Sequence, residues 1–409
     1  SPRLRPENIV HQTMNTSKAS AAAISRKITH MRLRRSVRRL LLLAFILGSQ
    51  PACSSTLPPA AQPTPVAFGR TERVPVPIQR PRARWIPADW ADLPGWTDDR
   101  TRELWPALLT GCTRPADGWA GVCALARALK PADDAQAREF LQRTLVPYRI
   151  ESLDGQTGGL ATGYFEPLLH ASRVPRNGQQ VPLYRPPRDL GTRKPYWSRE
   201  QLDTLPAARA GLRGLEIAYI ADPLDALLVQ VQGSGRLRVT EPDGRERAMR
   251  LVYAGHNDHG YKSVGRWLID RGELRSEEAS WPAIRDWARR YPERVNELLW
   301  SNPRVVFFTE EPLVDEAIGP RGAQGVPLTP GRSVAVDPLA LPYGTMLWVD
   351  STEPLTATPL RRVVMAQDTG SAITGAVRVD YFWGWGGQAE QQAGRMKQSL
   401  RLWALWPRP

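Results

Sequence analysis

Asp368 and Asp380 stand in one short stretch, Met365-Ala366-Gln367-Asp368-Thr369-Gly370-Ser371 running on to Arg378-Val379-Asp380-Tyr381-Phe382-Trp383. Asp368 ends an apolar strand and enters a glycine turn, whereas Asp380 leads into aromatic residues interrupted by Gly384 and Gly386. A carboxyl packed against Tyr381, Phe382 and Trp383 loses hydration, which raises its pKa and keeps it protonated, and a like charge on Asp368 pushes the same way. A general acid is made in this manner, and exposed aromatic rings beside it suit stacking on sugar rings. The plainer alternative is that both aspartates hold turns. A rival is the aspartic-protease reading of Asp368-Thr369-Gly370-Ser371, which requires two such loops sharing one proton; the chain carries one.

Other chemistry is thinner. His256-Asn257-Asp258-His259 spaces two imidazoles by three residues, but Gly255 and Gly260 make the segment a turn and no third ligand is signalled. A hydrogen-bonded loop is the expectation there, with no metal and no cofactor. Neither a Gly-x-Ser-x-Gly elbow nor a phosphate loop is present. Cys112 and Cys123 read as a disulfide in an oxidising compartment, with two buried thiols as the alternative.

The elements that must position these groups are mostly strands. Residues 97–150 read as helical, with Ala137, Phe140, Leu141 and Leu145 on one face. Leu227–Val231, Arg236–Val239 and Met249–Tyr253 read as strands. A helical insert follows, in which Val264, Trp267 and Leu268 share a face and Ser280 caps a helix with Pro282 in its first turn. Val305–Phe308, Ser333–Val336, Met346–Val349, Arg362–Met365 and Leu400–Trp403 complete a mainly β body typical of a small barrel.

Composition agrees with that reading. The 409 residues are 42% hydrophobic and 23% charged, as in a globular protein, and the 38 prolines argue against a helical bundle. The net charge of +14 invites a nucleic-acid partner, but residues 1–52 hold ten Lys/Arg against one acidic residue. No nucleic-acid partner is therefore expected. Residues 31–52 read as a bacterial secretory signal: Arg32, Arg34, Arg35, Arg38 and Arg39 precede the apolar run Leu40–Leu47, and Ala52 precedes Cys53. Residues 1–30 read as an upstream extension. Cys53 is the candidate lipid-attachment site, although Gln50 and Pro51 fit a lipobox poorly, and simple secretion is the alternative. Residues 53–81, rich in proline, read as anchor and extended tether.

Several blocks in the same order resemble the membrane-bound lytic murein transglycosylase A family, from about Trp85 onward. They are Thr162–Pro167, Val231–Gly235, Tyr253–Asn257 with Tyr261 and Ser263–Gly265, Asn302-Pro303 with Val306–Phe308, Gly331–Asp337, Pro342–Thr345, and Asp368–Gly386 running on to Ala393-Gly394. The resemblance implies a double-psi β-barrel (82–166 with 311–409) interrupted by a second β-rich domain (167–310), a mainly β fold with peripheral helices. It further implies cleavage of the β-1,4 bond between N-acetylmuramic acid and N-acetylglucosamine without water, leaving 1,6-anhydromuramyl ends. The family's catalytic aspartate falls on Asp380 and its companion on Asp368. Tyr164, Gln232, Ser234, Gly370 and Trp383 are expected to contact sugar, and Asp337 to be structural. Ser371 stands where glycine is expected, and Cys112 and Cys123 are not an obvious family feature. Expected partners are peptidoglycan glycan strands and, through the lipid, the periplasmic face of the outer membrane, with a wall-remodelling complex as a further candidate. A non-catalytic glycan-binding barrel is the alternative.

Overall fold

A computed structural model describes residues 74–354 and 356–408. The signal segment, Cys53 and most of the proposed tether lie outside the described residues. No helix among those described is long and apolar enough to cross a membrane.

Two sheets are interleaved along the chain. β1 (Ile78–Arg80), β2 (Ala83–Pro87), β3 (Leu145–Glu151) and β4 (Gly159–Glu166) belong to the first. β5 (Leu168–Ser172), β6 (Val181–Tyr184), β7 (Glu216–Ile220), β8 (Ser234–Thr240), β9 (Glu246–His256) and β10 (Val306–Pro312) form the second, in the order β10-β9-β8-β5-β7-β6. The chain then returns to the first sheet with β11 (Ser333–Ala335), β12 (Met346–Thr352), β13 (Pro359–Asp368), β14 (Arg378–Trp385) and β15 (Lys397–Pro407). The first sheet runs β1-β2-β3-β15-β12-β13-β11-β14-β4 and closes because β15 pairs with β4 as well as with β3 and β12. Closure removes an open edge and makes the mixed sheet a barrel. The expected mainly β body with an interrupting β-rich segment is thus observed.

Helices α1 (Trp105–Gly111), α2 (Ala120–Ala128) and α3 (Asp134–Thr144) cover one outer face of the barrel. This layer explains why the barrel strands read as unbroken apolar runs. In β12, Leu347 and Val349 enter the barrel interior while Met346 and Trp348 pack under the helices. β13 divides in the same way, with Val364 and Ala366 inward and Val363 and Met365 outward. A strand buried on both faces has no polar side to alternate with. The Cys112–Cys123 disulfide, with Cα atoms 5.4 Å apart, lies in this helical layer.

Further along, α4 (Arg199–Thr204), α5 (Pro206–Ala210), α6 (Pro223–Gln232), α7 (Val264–Asp270), α8 (Trp281–Arg290) and α9 (Val295–Trp300) punctuate the second sheet, and α10 (Gly386–Ala393) follows β14. As expected, Ser280 accepts from the Ala283 N–H and so caps α8.

Four readings need correction. Leu227–Val231 is not a strand but the body of α6. The Asp222 carboxylate caps it through the Leu224 N–H at 2.8 Å, Pro223 fits its first turn, and Gly233 ends it at φ +81°. An apolar run of that length has no periodicity to distinguish the two states. The helical reading of 97–150 overruns, since Leu145 opens β3; its side chain still packs beneath the helices. Residues 78–81 are not tether, because Ile78–Arg80 pairs with Ala83–Trp85 in a hairpin. The second sheet also extends to Pro312, paired with Met249, two residues past the expected boundary.

Candidate active site

β14 carries Asp380 between β4 and β11. The parallel register with β4 sets Thr162 beside Asp380 and Tyr164 beside Phe382, while β11 sets Ala335 opposite both Asp380 and Asp368. The aspartate backbones are therefore two strand spacings apart, roughly 10 Å. A register shift between Val334 and Ala335 skips Gln367. Gln367 turns into the core, where it accepts from Ser333 at 2.5 Å and donates to the Ala107 carbonyl at 3.1 Å. Asp368 is aimed the other way, the use of a bulge to re-aim a side chain.

Each carboxylate has its own environment. Thr162 Oγ1 donates to Asp380 Oδ1 at 2.5 Å and accepts from Arg378 Nη2 at 2.9 Å. A guanidinium only donates, so the Thr162 proton points at Oδ1 and leaves Oδ2 as the oxygen able to carry an acidic proton. Burial raises the Asp380 pKa; the Thr162 bond and the Arg378 charge act against it. Asp368 Oδ2 accepts from the Tyr164 hydroxyl and Oδ1 from the Ala323 N–H, both at 2.9 Å. Burial nevertheless pushes Asp368 up to about 6, and the Asp380 charge adds to the rise. The like-charge push expected on Asp380 is thus felt at Asp368. Burial and the two carboxylates hold Tyr164 well above its ordinary pKa, so it remains a neutral donor.

A testable consequence concerns stability. A carboxyl raised above its unfolded value contributes stability that is complete below the unfolded pKa and is lost as pH rises through the folded one. For Asp368 that loss is centred near the value of about 6. Asp368→Asn cannot ionise, so its Tm is expected to exceed the parent's at pH 7.5 and to lose that advantage at pH 4. Equal differences at both pH values would contradict the burial argument.

The two aspartates face a groove of about 720 Å³ lined by the barrel on one side and the second sheet, with α6, on the other. Among the described residues no cluster of metal-ligating side chains occurs.

Two family models match the chain: the MltA specific insert domain over residues 160–309 and the 3D domain over 332–406. Membrane-bound lytic murein transglycosylase A of Escherichia coli K12 is 33% identical over 278 residues, which cover 66% of this chain and 72% of that protein. The chain belongs to this family. Among solved structures, the lytic transglycosylase LtgG of Burkholderia pseudomallei is 45% identical with a TM-score of 0.57, covering 82% of this chain and 99% of that one. Escherichia coli MltA with bound chitohexaose is 27% identical with a TM-score of 0.61, covering 81% and 94%.

Of the residues singled out in the sequence, Asp380, Asp368, Tyr164, Gln232, Ser234 and Gly370 all line the groove. Gln232 also has a local duty, because its Oε1 accepts from the Phe165 N–H at 3.0 Å and ties the end of α6 to β4. Trp383 is not brought to the groove. It stands three positions from Asp380 and so on the opposite face of β14, where it lies 5.0 Å from the Tyr381 ring and donates to Met396 Sδ. Phe382, on the Asp380 face, is fully buried 5.1 Å from Tyr164, and the aromatic rings that line the groove are Tyr164, Tyr253, Tyr261 and Trp281. Asp337 accepts from Arg82, Leu339 N–H and Gly375 N–H, pinning the loop between the two aspartates to the barrel. His256 Nδ1 accepts from the Asp258 N–H and His259 Nε2 bonds the Tyr196 carbonyl, which makes the segment a loop as expected. Thr162, Arg378 and the Ala323 N–H went unassigned in the sequence; the period-2 match of Thr162 and Tyr164 to Asp380 and Phe382 needs a register that spacing alone does not supply.

Proposed function

We propose that the groove takes a peptidoglycan glycan strand and cleaves the β-1,4 bond between N-acetylmuramic acid and N-acetylglucosamine without water, leaving 1,6-anhydromuramyl ends. By family the chain is a peptidoglycan lytic transglycosylase, and the relative solved with chitohexaose bound supports a glycan ligand. The observation that carries the mechanism is the asymmetry of the two carboxyls. Hydrolytic glycosidases use one carboxyl as acid and a second as nucleophile or as base for water. Both oxygens of Asp368 are engaged by donors, which suits a supporting role better than attack. Asp380 keeps one oxygen free and a raised pKa. It donates its proton to the leaving oxygen, then accepts one from the muramyl 6-hydroxyl as that oxygen closes on C1. Intramolecular attack avoids the entropy of recruiting water. Asp368, when ionised, stabilises developing positive charge, while Tyr164, Gln232, Ser234 and Gly370 shape the sugar contacts.

The deciding experiment incubates the protein with purified murein sacculi and reads the products by mass spectrometry. Fragments one water lighter than hydrolysis products support the reading; ordinary reducing ends, or binding with no fragments, overturn it. Thr162 acts as a positioning residue. Thr162→Val should cut kcat about tenfold and move the alkaline limb of the pH profile upward, because a bond that lowers the Asp380 pKa is lost. Thr162→Ser should restore both. An unmoved profile would reduce Thr162 to packing.

The same reading divides the chain into a barrel domain (78–166 with 313–409) and an inserted domain (167–312). It places the protein on the periplasmic face of the outer membrane through a lipid on Cys53, for which the relatives' designation as membrane-bound is support.

A further inference from the structure

The groove lining holds four arginines and two aspartates, an imbalance that a neutral glycan does not require. Two of the arginines are accounted for. Arg250 is bound to Glu166 at 2.7 Å, and Arg378 holds Thr162. The other two have no carboxylate partner among the described residues. Arg304, half-buried just before β10, reaches the neutral Tyr253 hydroxyl and, at 3.5 Å, the His259 carbonyl. Arg321, exposed on the segment between β10 and β11, reaches only the Gly325 carbonyl, at 3.4 Å. They come from the two sides of the groove, one from the second sheet and one from the loop that delivers the Ala323 N–H to Asp368. A half-buried guanidinium held only by a neutral phenol and one long carbonyl contact pays desolvation without a full return, and the planar fork is shaped for a carboxylate.

We propose that Arg304 and Arg321 are carboxylate-reading subsites, which pair with the acidic groups that muramyl residues carry and chitin lacks. The inference rests on the glycan-strand reading above and adds to it a means of selecting the acidic polymer. Those carboxylates come from the lactyl group of a peptide-free strand or from the peptide attached to it. The neutral backbone is held by the rest of the groove. Arg321, being exposed, supplies the more salt-sensitive part of the preference.

The test measures dissociation constants with Asp380→Asn protein, which holds the strand without cutting it. The ligands are peptide-bearing glycan strands, peptide-free strands of equal length and chitohexaose, at low salt and at about 0.15 M. Carboxylate-bearing strands should bind about tenfold more tightly than chitohexaose at low salt, and Arg304→Gln and Arg321→Gln should each remove about threefold of that preference. Chitohexaose affinity should not change. Arg304→Lys, which keeps the charge, controls for damage to the fold and should retain part of the preference. A loss confined to peptide-bearing strands assigns the carboxylates to the peptide, a loss confined to peptide-free strands assigns them to the lactyl group, and a loss on both means that the arginines read either. Equal losses on chitohexaose, or no loss on any acidic strand, overturn the proposal. Failure of the cleavage reading is separate: parent enzyme that leaves ordinary reducing ends while keeping the arginine-dependent preference would lose its reaction and keep its subsites.

Discussion

Asp380→Asn should give a folded protein that still holds glycan strands and releases soluble fragments about 10³-fold more slowly than the parent, if at all. The amide keeps an oxygen to accept from Thr162, so the strand β14 and its neighbours have no reason to move. What it lacks is a proton to give at the position of Oδ2 and a basic oxygen to take one back. Because burial disfavours the charged form of Asp380, the amide also relieves a cost, and the variant's Tm should equal or exceed the parent's above neutral pH. Product release from sacculi, pull-down on murein and a thermal melt check the three parts. Retention of more than a few per cent of activity would remove Asp380 from the acid's role.

Glu166→Ala should be the most destabilising single change at the groove. Glu166 is fully buried at the end of β4. Its Oε2 takes the Arg236 Nε and its Oε1 the Arg250 Nε, each at 2.7 Å, from β8 and β9 of the second sheet. Both guanidiniums also donate to the Ile318 carbonyl, and Arg236 lies 3.8 Å over the Trp385 ring. Removing the carboxylate leaves buried Arg236 without an ion pair and Arg250 with only the exposed Glu311 at 3.8 Å, a change that costs about 3–5 kcal/mol for a broken buried pair. Since the triad joins the wall bearing Tyr164 to the wall bearing Ser234, KM should rise along with the fall in stability. Glu166→Gln keeps the shape and two acceptor lone pairs, and should lose less. Chemical denaturation reads the stability; a loss under about 1 kcal/mol would mean the pair's attraction barely exceeds its desolvation.

The barrel was legible where physics made it local. Met346–Val349 and Val363–Met365 are buried on both faces, so their apolar character survives in the sequence without help from context. Leu227–Val231 has the same character and a different outcome, because the decision lies outside the run, in Asp222, Pro223 and Gly233. Asp380 and Asp368 were legible as a pair because one loop carries both. Their partners were not, since Thr162 is 218 positions from Asp380 and Tyr164 is 204 from Asp368. Trp383 is a different kind of miss. Strict alternation along a strand already assigns it to the face opposite Asp380. Glu166 sat inside a recognised block, yet a glutamate before a proline looks like any strand end until Arg236 and Arg250 are folded onto it.

The pairing of β14 with β4 also sets when the enzyme becomes dangerous to its own wall. The second sheet, β5 to β10, is contiguous in sequence and can form from its own segment. The site around Asp380 cannot: β4 must wait for β14, and β15 must then arrive to pair with β3, β4 and β12 before the barrel closes. Contacts so distant in the chain are slow to form. A chain stopped short of Asp380 lacks the proposed acid, and one stopped before β15 lacks the strand that closes the barrel around it. Lytic capacity therefore arrives last, as a property of the completed molecule and not of any fragment made along the way.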